Sequence, residues 1–110
     1  MNAESILIVL VTFPDIDKAR ELGAAMVESQ LAACVNLVPA IESIYRWRGA
    51  VQRDAEVLAI FKTTATLWPS FERGIKTGHP YEVPEIVALK PEAVSEAYAR
   101  WVGGAVRSEK

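Results

Sequence analysis

At 110 residues, with 51% of them apolar and 24% charged, the chain is sized and composed as a single globular domain spanning 1–110, not as a disordered segment. A net charge of −2 excludes a general phosphate-binding surface, which needs clustered, uncompensated Lys and Arg. Arg46, Arg48 and Arg53 lie close together but are flanked by Glu42, Asp54 and Glu56, which reads as a solvated rim.

The lone cysteine allows no internal disulfide. The apolar run over residues 6–11 is too short to cross a bilayer, and no small-residue cleavage site follows it. These features predict a cytoplasmic protein with neither a nucleic-acid nor a membrane partner.

In chain order, residues 5–13 (SILIVLVTF) predict a strand closed by Pro14-Asp15. Residues 15–31 place Ile16, Ala19, Leu22, Met26 and Val27 at helical spacing behind Asp15 as N-cap. A strand follows from about residue 32 and carries Pro39, which calls for an edge position or a bulge because proline donates no ladder hydrogen bond. Gly49 marks a hairpin bend, and AEVLAIFKTT (55–64) is the return strand.

Thr66 is expected to cap a second helix reaching about Thr77, with Pro69 in its first turn and Gly78 at its C′ position. PEIVALK (84–90) reads as a fourth strand, and VSEAYARWV (94–102) as a short last helix ending before Gly103-Gly104. The order β-α-β-β-α-β plus a terminal helix predicts an α+β, ferredoxin-like fold: a four-stranded antiparallel sheet with both main helices on one face. That architecture hosts many unrelated functions.

Helices on one face leave the other to water, yet residues 6–11 are apolar on both faces, as are Val57, Leu58, Ile60 and Phe61. Each large apolar side chain left exposed forgoes roughly 1.5–3 kcal/mol of burial. Further copies of the same chain, packed sheet to sheet, are the economical cover. The long segment SIYRWRGAVQRD (43–54), with Tyr45 and Trp47, would supply an arm to a neighbour. The alternative is that the apolar face is merely tolerated or is covered by the C-terminal segment.

GHPYEVPEI (78–86) holds the only histidine, two prolines, a tyrosine and two glutamates. Pro80 biases His79 towards an extended backbone, and two prolines four apart make the segment stiff. His79, Glu82 or Glu85 would bind a divalent cation or an anionic or polar ligand; alternatively, His79 and Tyr81 fix the entry to the strand by hydrogen bonding. Cys34, in LAACVNL, reads either as a small core residue or as a soft copper ligand. No CxxC or HxxxH pair occurs, so any metal site would be open, weak or shared between subunits.

Catalytic signatures are missing. Cys34 and His79 are far apart in sequence, there is no G-x-S-x-G, and neither phosphate-cradling glycine motif occurs. VTFPDIDKAR contains Arg20 but not the glycine turn of an acylphosphatase-like enzyme. The prediction is a non-enzymatic protein with no catalytic residues and no required cofactor.

LAACVNLVPAIESIYRWRG (31–49), EVLAIFKTT (56–64) and HPYEVPEIVAL (79–89), with TFPDIDKA (12–19), resemble the CutA family of divalent-cation tolerance proteins, over roughly residues 5–102. The resemblance implies a compact homotrimer with hairpin arms reaching to neighbours, and binding of Cu(II) or another divalent cation. It puts the family histidine on His79 and the family cysteine on Cys34; with Glu82 from the loop reading above, these are the candidate metal ligands. Tyr81, Glu85, Trp47 and Lys62 would lie at the intersubunit cleft. The family architecture also resembles PII signalling proteins, so the alternative function is a regulatory module binding a small polar effector there. The chain departs from some members in having Gly78 before the histidine and a single cysteine.

Overall fold

A computed structural model describes residues 5–108. The elements run β1 (Ile6–Phe13), α1 (Ile16–Glu28), β2 (Cys34–Trp47), β3 (Ala50–Thr64), α2 (Trp68–Gly78), β4 (Ile86–Leu89) and α3 (Glu96–Ala105). The antiparallel sheet has the order β2-β3-β1-β4, the ferredoxin-like arrangement the sequence predicts.

Strand parity divides the residues between two faces. On the inner face Leu7, Val9, Val11 and Phe13 of β1 join Val57, Ala59 and Phe61 of β3, packed with Ala19 and Met26 of α1 and Phe71 and Ile75 of α2. Phe61 meets Phe71 edge to face, with centroids 5.1 Å apart. Asp15 caps α1 as expected, its Oδ1 accepting the Lys18 N–H at 2.8 Å.

Pro39 satisfies both of its options, because β2 is an edge strand and its register with β3 shifts between Val38 and Ile41. Beyond the end of β1, residues 50–56 of β3 pair with β2 alone, which makes a two-stranded arm. Its turn is two residues, Arg48 (φ 51°) and Gly49 (φ 80°), between the paired Trp47 and Ala50. Positive φ at both positions matches the right-handed twist of the strands, and it is why glycine is needed at the second.

Three local expectations need correction. Thr66 does not cap α2: it lies in a 3-10 turn over Ala65–Leu67, and the helix starts at Trp68 with Leu67 as an N-cap lacking a side-chain bond. Pro69, best placed where no N–H is needed, fixes that start. Gly78 is the last residue of α2, not a left-handed C′; a Cβ there would lie 2.7 Å from Leu22 Cδ1, so glycine serves the close approach of α1 and α2. The third helix runs through Gly103 and Gly104 to Ala105, started by Ser95, whose Oγ accepts the Tyr98 N–H at 3.2 Å.

The outer face carries cross-strand rows Cys34–Lys62–Ile8–Leu89, then Asn36–Ile60–Leu10–Val87, then Val38–Leu58–Thr12. The C-terminal helix covers one end, where Val102 packs with Ile6 and Ala33. It leaves Ile8, Leu10, Leu58 and Ile60 half-buried, and Val38, Val87 and Leu89 exposed at 37%, 43% and 47%. The C-terminal segment therefore covers this face only in part.

Candidate functional site

The loop after α2 folds against the root of the arm. His79 is buried and stacks on Phe13, with centroids 4.7 Å apart. Its Nε2–H donates to the Thr12 carbonyl at 2.7 Å, while Nδ1 accepts the Tyr81 N–H at 3.0 Å. Those two bonds require the neutral Nε2–H tautomer. Burial pushes the His79 pKa below its ordinary value, against the smaller opposing effects of the Thr12 carbonyl and Glu56. The imidazole thus ties the loop to β1 and has no free nitrogen to offer a metal without surrendering one of these bonds.

Tyr81, positioned in this way, donates its hydroxyl hydrogen to Glu56 Oε2 at 2.6 Å. Burial first, and this bond second, push the Tyr81 pKa upward, so the phenol stays protonated at any ordinary pH. Glu56 is only 9% exposed and belongs to the outer face by parity with Leu58, Ile60 and Lys62. No ion pair involves it among the described residues.

Over this pair opens a cleft of about 670 Å³, lined by Thr12, Ser43, Ile44, Tyr45, Trp47 and Glu56 on the strands and by residues 80–83 and Glu85 on the loop. At its rim the Arg48 guanidinium lies 5.5 Å from the Trp47 ring centroid and 3.7 Å from Glu82. Next to it the Tyr45 hydroxyl donates to Asp54 at 2.5 Å, and this bond raises the Tyr45 pKa.

Of the residues singled out in the sequence, Trp47, Tyr81, Glu82 and Glu85 come together in the cleft, and His79 lies beneath it. Cys34 and Lys62 do not join them. They pair with each other on the row of Ile8, whereas His79 bonds Thr12, four residues and about 13 Å further along β1. There Lys62 donates to Asn36 Oδ1, and Cys34 Sγ lies 3.6 Å from the Tyr98 hydroxyl, a contact that raises the Tyr98 pKa. No group of three or more His, Cys, Asp or Glu among the described residues is arranged to hold a metal ion.

The sequence reads Glu56 as part of a solvated rim and Tyr45 as part of the arm, and it does not single out Thr12; all three line the cleft. The signal for Glu56 was available: alternation along β3 puts it on the same face as the apolar Leu58 and Ile60, where a carboxylate is out of place.

Fold and cleft together define a ferredoxin-like α+β domain with an acidic, aromatic cleft at the root of a long hairpin arm. The sequence model of the family described as "CutA1 divalent ion tolerance protein" matches residues 7–105, and the chain belongs to that family. It is 46% identical over 95 residues to the divalent-cation tolerance protein CutA of Thermus thermophilus, covering 86% of this chain and 92% of that one. Against protein CutA of Mus musculus it is 44% identical over 98 residues, covering 89% of this chain and 55% of the relative. The chain thus spans about half the length of its mouse and Arabidopsis thaliana relatives, the latter named chloroplastic. The crystal structure of CutA1 from Oryza sativa superposes with a TM-score of 0.94 at 37% identity, covering 97% of this chain and 98% of that one.

Proposed function

We propose that this chain acts as a divalent-cation tolerance protein, a homotrimer that binds Cu(II) or a similar cation weakly at a site shared between subunits. The observation that carries this reading is the division of its soft donors. His79 and Cys34 lie at opposite ends of β1's outer rows, so the described residues of one chain supply no closed metal site, while the apolar outer face and the arm invite a neighbour to bring the two ends together. Weak affinity follows from His79, which must exchange a backbone bond for the metal.

The reading is of a binding protein rather than a catalyst, which agrees with the tolerance role in the family's description and with the separation of Cys34 from His79. Among the described residues no helix is long and apolar enough to cross a membrane. The cytoplasmic location belongs to the same reading and rests on the lone cysteine, which forms no internal disulfide.

The test is a calorimetric Cu(II) titration of the untagged chain beside His79→Ala and Cys34→Ala, with mass in solution followed by light scattering. Saturable binding at a fixed ratio per trimer, lost in both variants while the trimer persists, is expected. An intact trimer that takes up no copper sinks the metal reading.

A further inference from the structure

The described part of the chain leaves a nearly buried carboxylate without a cation. Glu56, 9% exposed, has one hydrogen bond, from Tyr81, where a carboxylate can accept about four. A buried carboxylate without a counter-charge is costly, which makes a positively charged visitor welcome at this point.

The lining points the same way. Glu56, Glu82 and Glu85 share it with Tyr45, Trp47 and Tyr81, and no Lys, Arg or His side chain among the described residues contributes. Anionic ligands such as nucleotides or small acids would meet like charge here, since Lys62 donates to Asn36 some six residues further along β3. The size of the cleft, about 670 Å³, is that of an organic ligand rather than of a bare ion, and its three carboxylates do not form a group arranged to hold a metal among the described residues. Aromatic faces beside carboxylates are the chemistry that holds organic cations. The rim already shows it: the chain's own Arg48 guanidinium sits over Trp47 and beside Glu82.

We infer that this cleft binds a small organic cation, an ammonium or guanidinium compound with an apolar body, its charge on Glu56 and its body against Tyr45, Trp47 and Tyr81. Of the metal donors only Glu82 lines this cleft, and the anchoring carboxylate, Glu56, is not one of them, so Glu56→Gln tests this inference separately from the metal reading.

The probe is phenethylammonium, titrated calorimetrically into the full chain beside phenylacetate, its anionic counterpart. Binding is expected to saturate at one per chain. Glu56→Gln keeps an acceptor for Tyr81 and should weaken it roughly ten- to a hundredfold, the worth of a charge-assisted bond. Trp47→Leu should weaken it less, and phenylacetate should not bind. Circular dichroism and light scattering of Glu56→Gln show whether fold and assembly survive. Absence of saturation, equal affinity in Glu56→Gln, or equal binding of phenylacetate would overturn the inference. So would displacement of the probe by Mn(II), which would make the cleft a metal site. A loss of mass in Glu56→Gln would overturn it too, because a second copy's cationic side chain would then be the occupant.

Discussion

His79 and Thr12 are 67 positions apart, yet the imidazole Nε2–H donates to the Thr12 carbonyl at 2.7 Å, with the other ring nitrogen holding the Tyr81 N–H. Burial depresses the His79 pKa, so the folded state binds this proton less readily than the unfolded one. The stability contributed is present above the unfolded value near 6.5 and is lost as pH falls below it. Thermal melts between roughly pH 8 and pH 5 should show a falling melting temperature on the acid side, and His79→Gln should flatten that limb. An unchanged acid limb in His79→Gln would show that other groups control it.

Tyr81→Phe removes the only hydrogen bond given to Glu56 among the described residues. A hydrogen bond to a charged group is worth about 1.5–3 kcal/mol, and that much stability should be lost in urea unfolding. In an ultraviolet pH titration Tyr81 should resist ionisation beyond the ordinary tyrosine range. Glu56→Gln should bring it partway back while leaving the effect of burial in place. Full reversion would mean that burial contributes little.

Phe61 and Phe71 are fully buried and meet edge to face beneath the sheet. Each Phe→Ala change should cost about 3–5 kcal/mol. The double variant should fall short of additivity by about 0.5–1.5 kcal/mol, the coupling of an aromatic pair. Strict additivity in the denaturant-unfolding cycle would remove the pair as a unit of the core.

Val87 and Leu89 stand exposed on the outer face, beside Leu10 and Ile8. On the trimer reading this surface is buried by neighbours, so Leu89→Asp would place a charge in an apolar interface and should lower the mass in solution by light scattering. A variant of unchanged mass would move the interface elsewhere.

Much of the architecture was legible one element at a time. Asp15 announces α1, Pro39 marks an edge strand with a bulge, and two-sided apolar runs identify the central β1 and β3. Local chemistry misled where two signals competed: Thr66 looks like an N-cap, but the ring of Pro69 sets the start of α2. Gly78 looks like a left-handed cap, but it is required by Leu22 of another helix.

The sequence by itself determined the elements, their order, the apolar outer face and the concentration of chemistry in residues 79–85, because caps, turn residues and alternation act over a few residues. Tertiary structure alone decided which side chains meet. Strand register puts Lys62 and Trp47, both on one hairpin, at its opposite ends. Packing of the loop on Phe13 commits both nitrogens of His79 to the backbone and covers Glu56, a residue that reads as part of a solvated rim. Register and burial depend on partners dozens of positions away, and no local pattern carries that information.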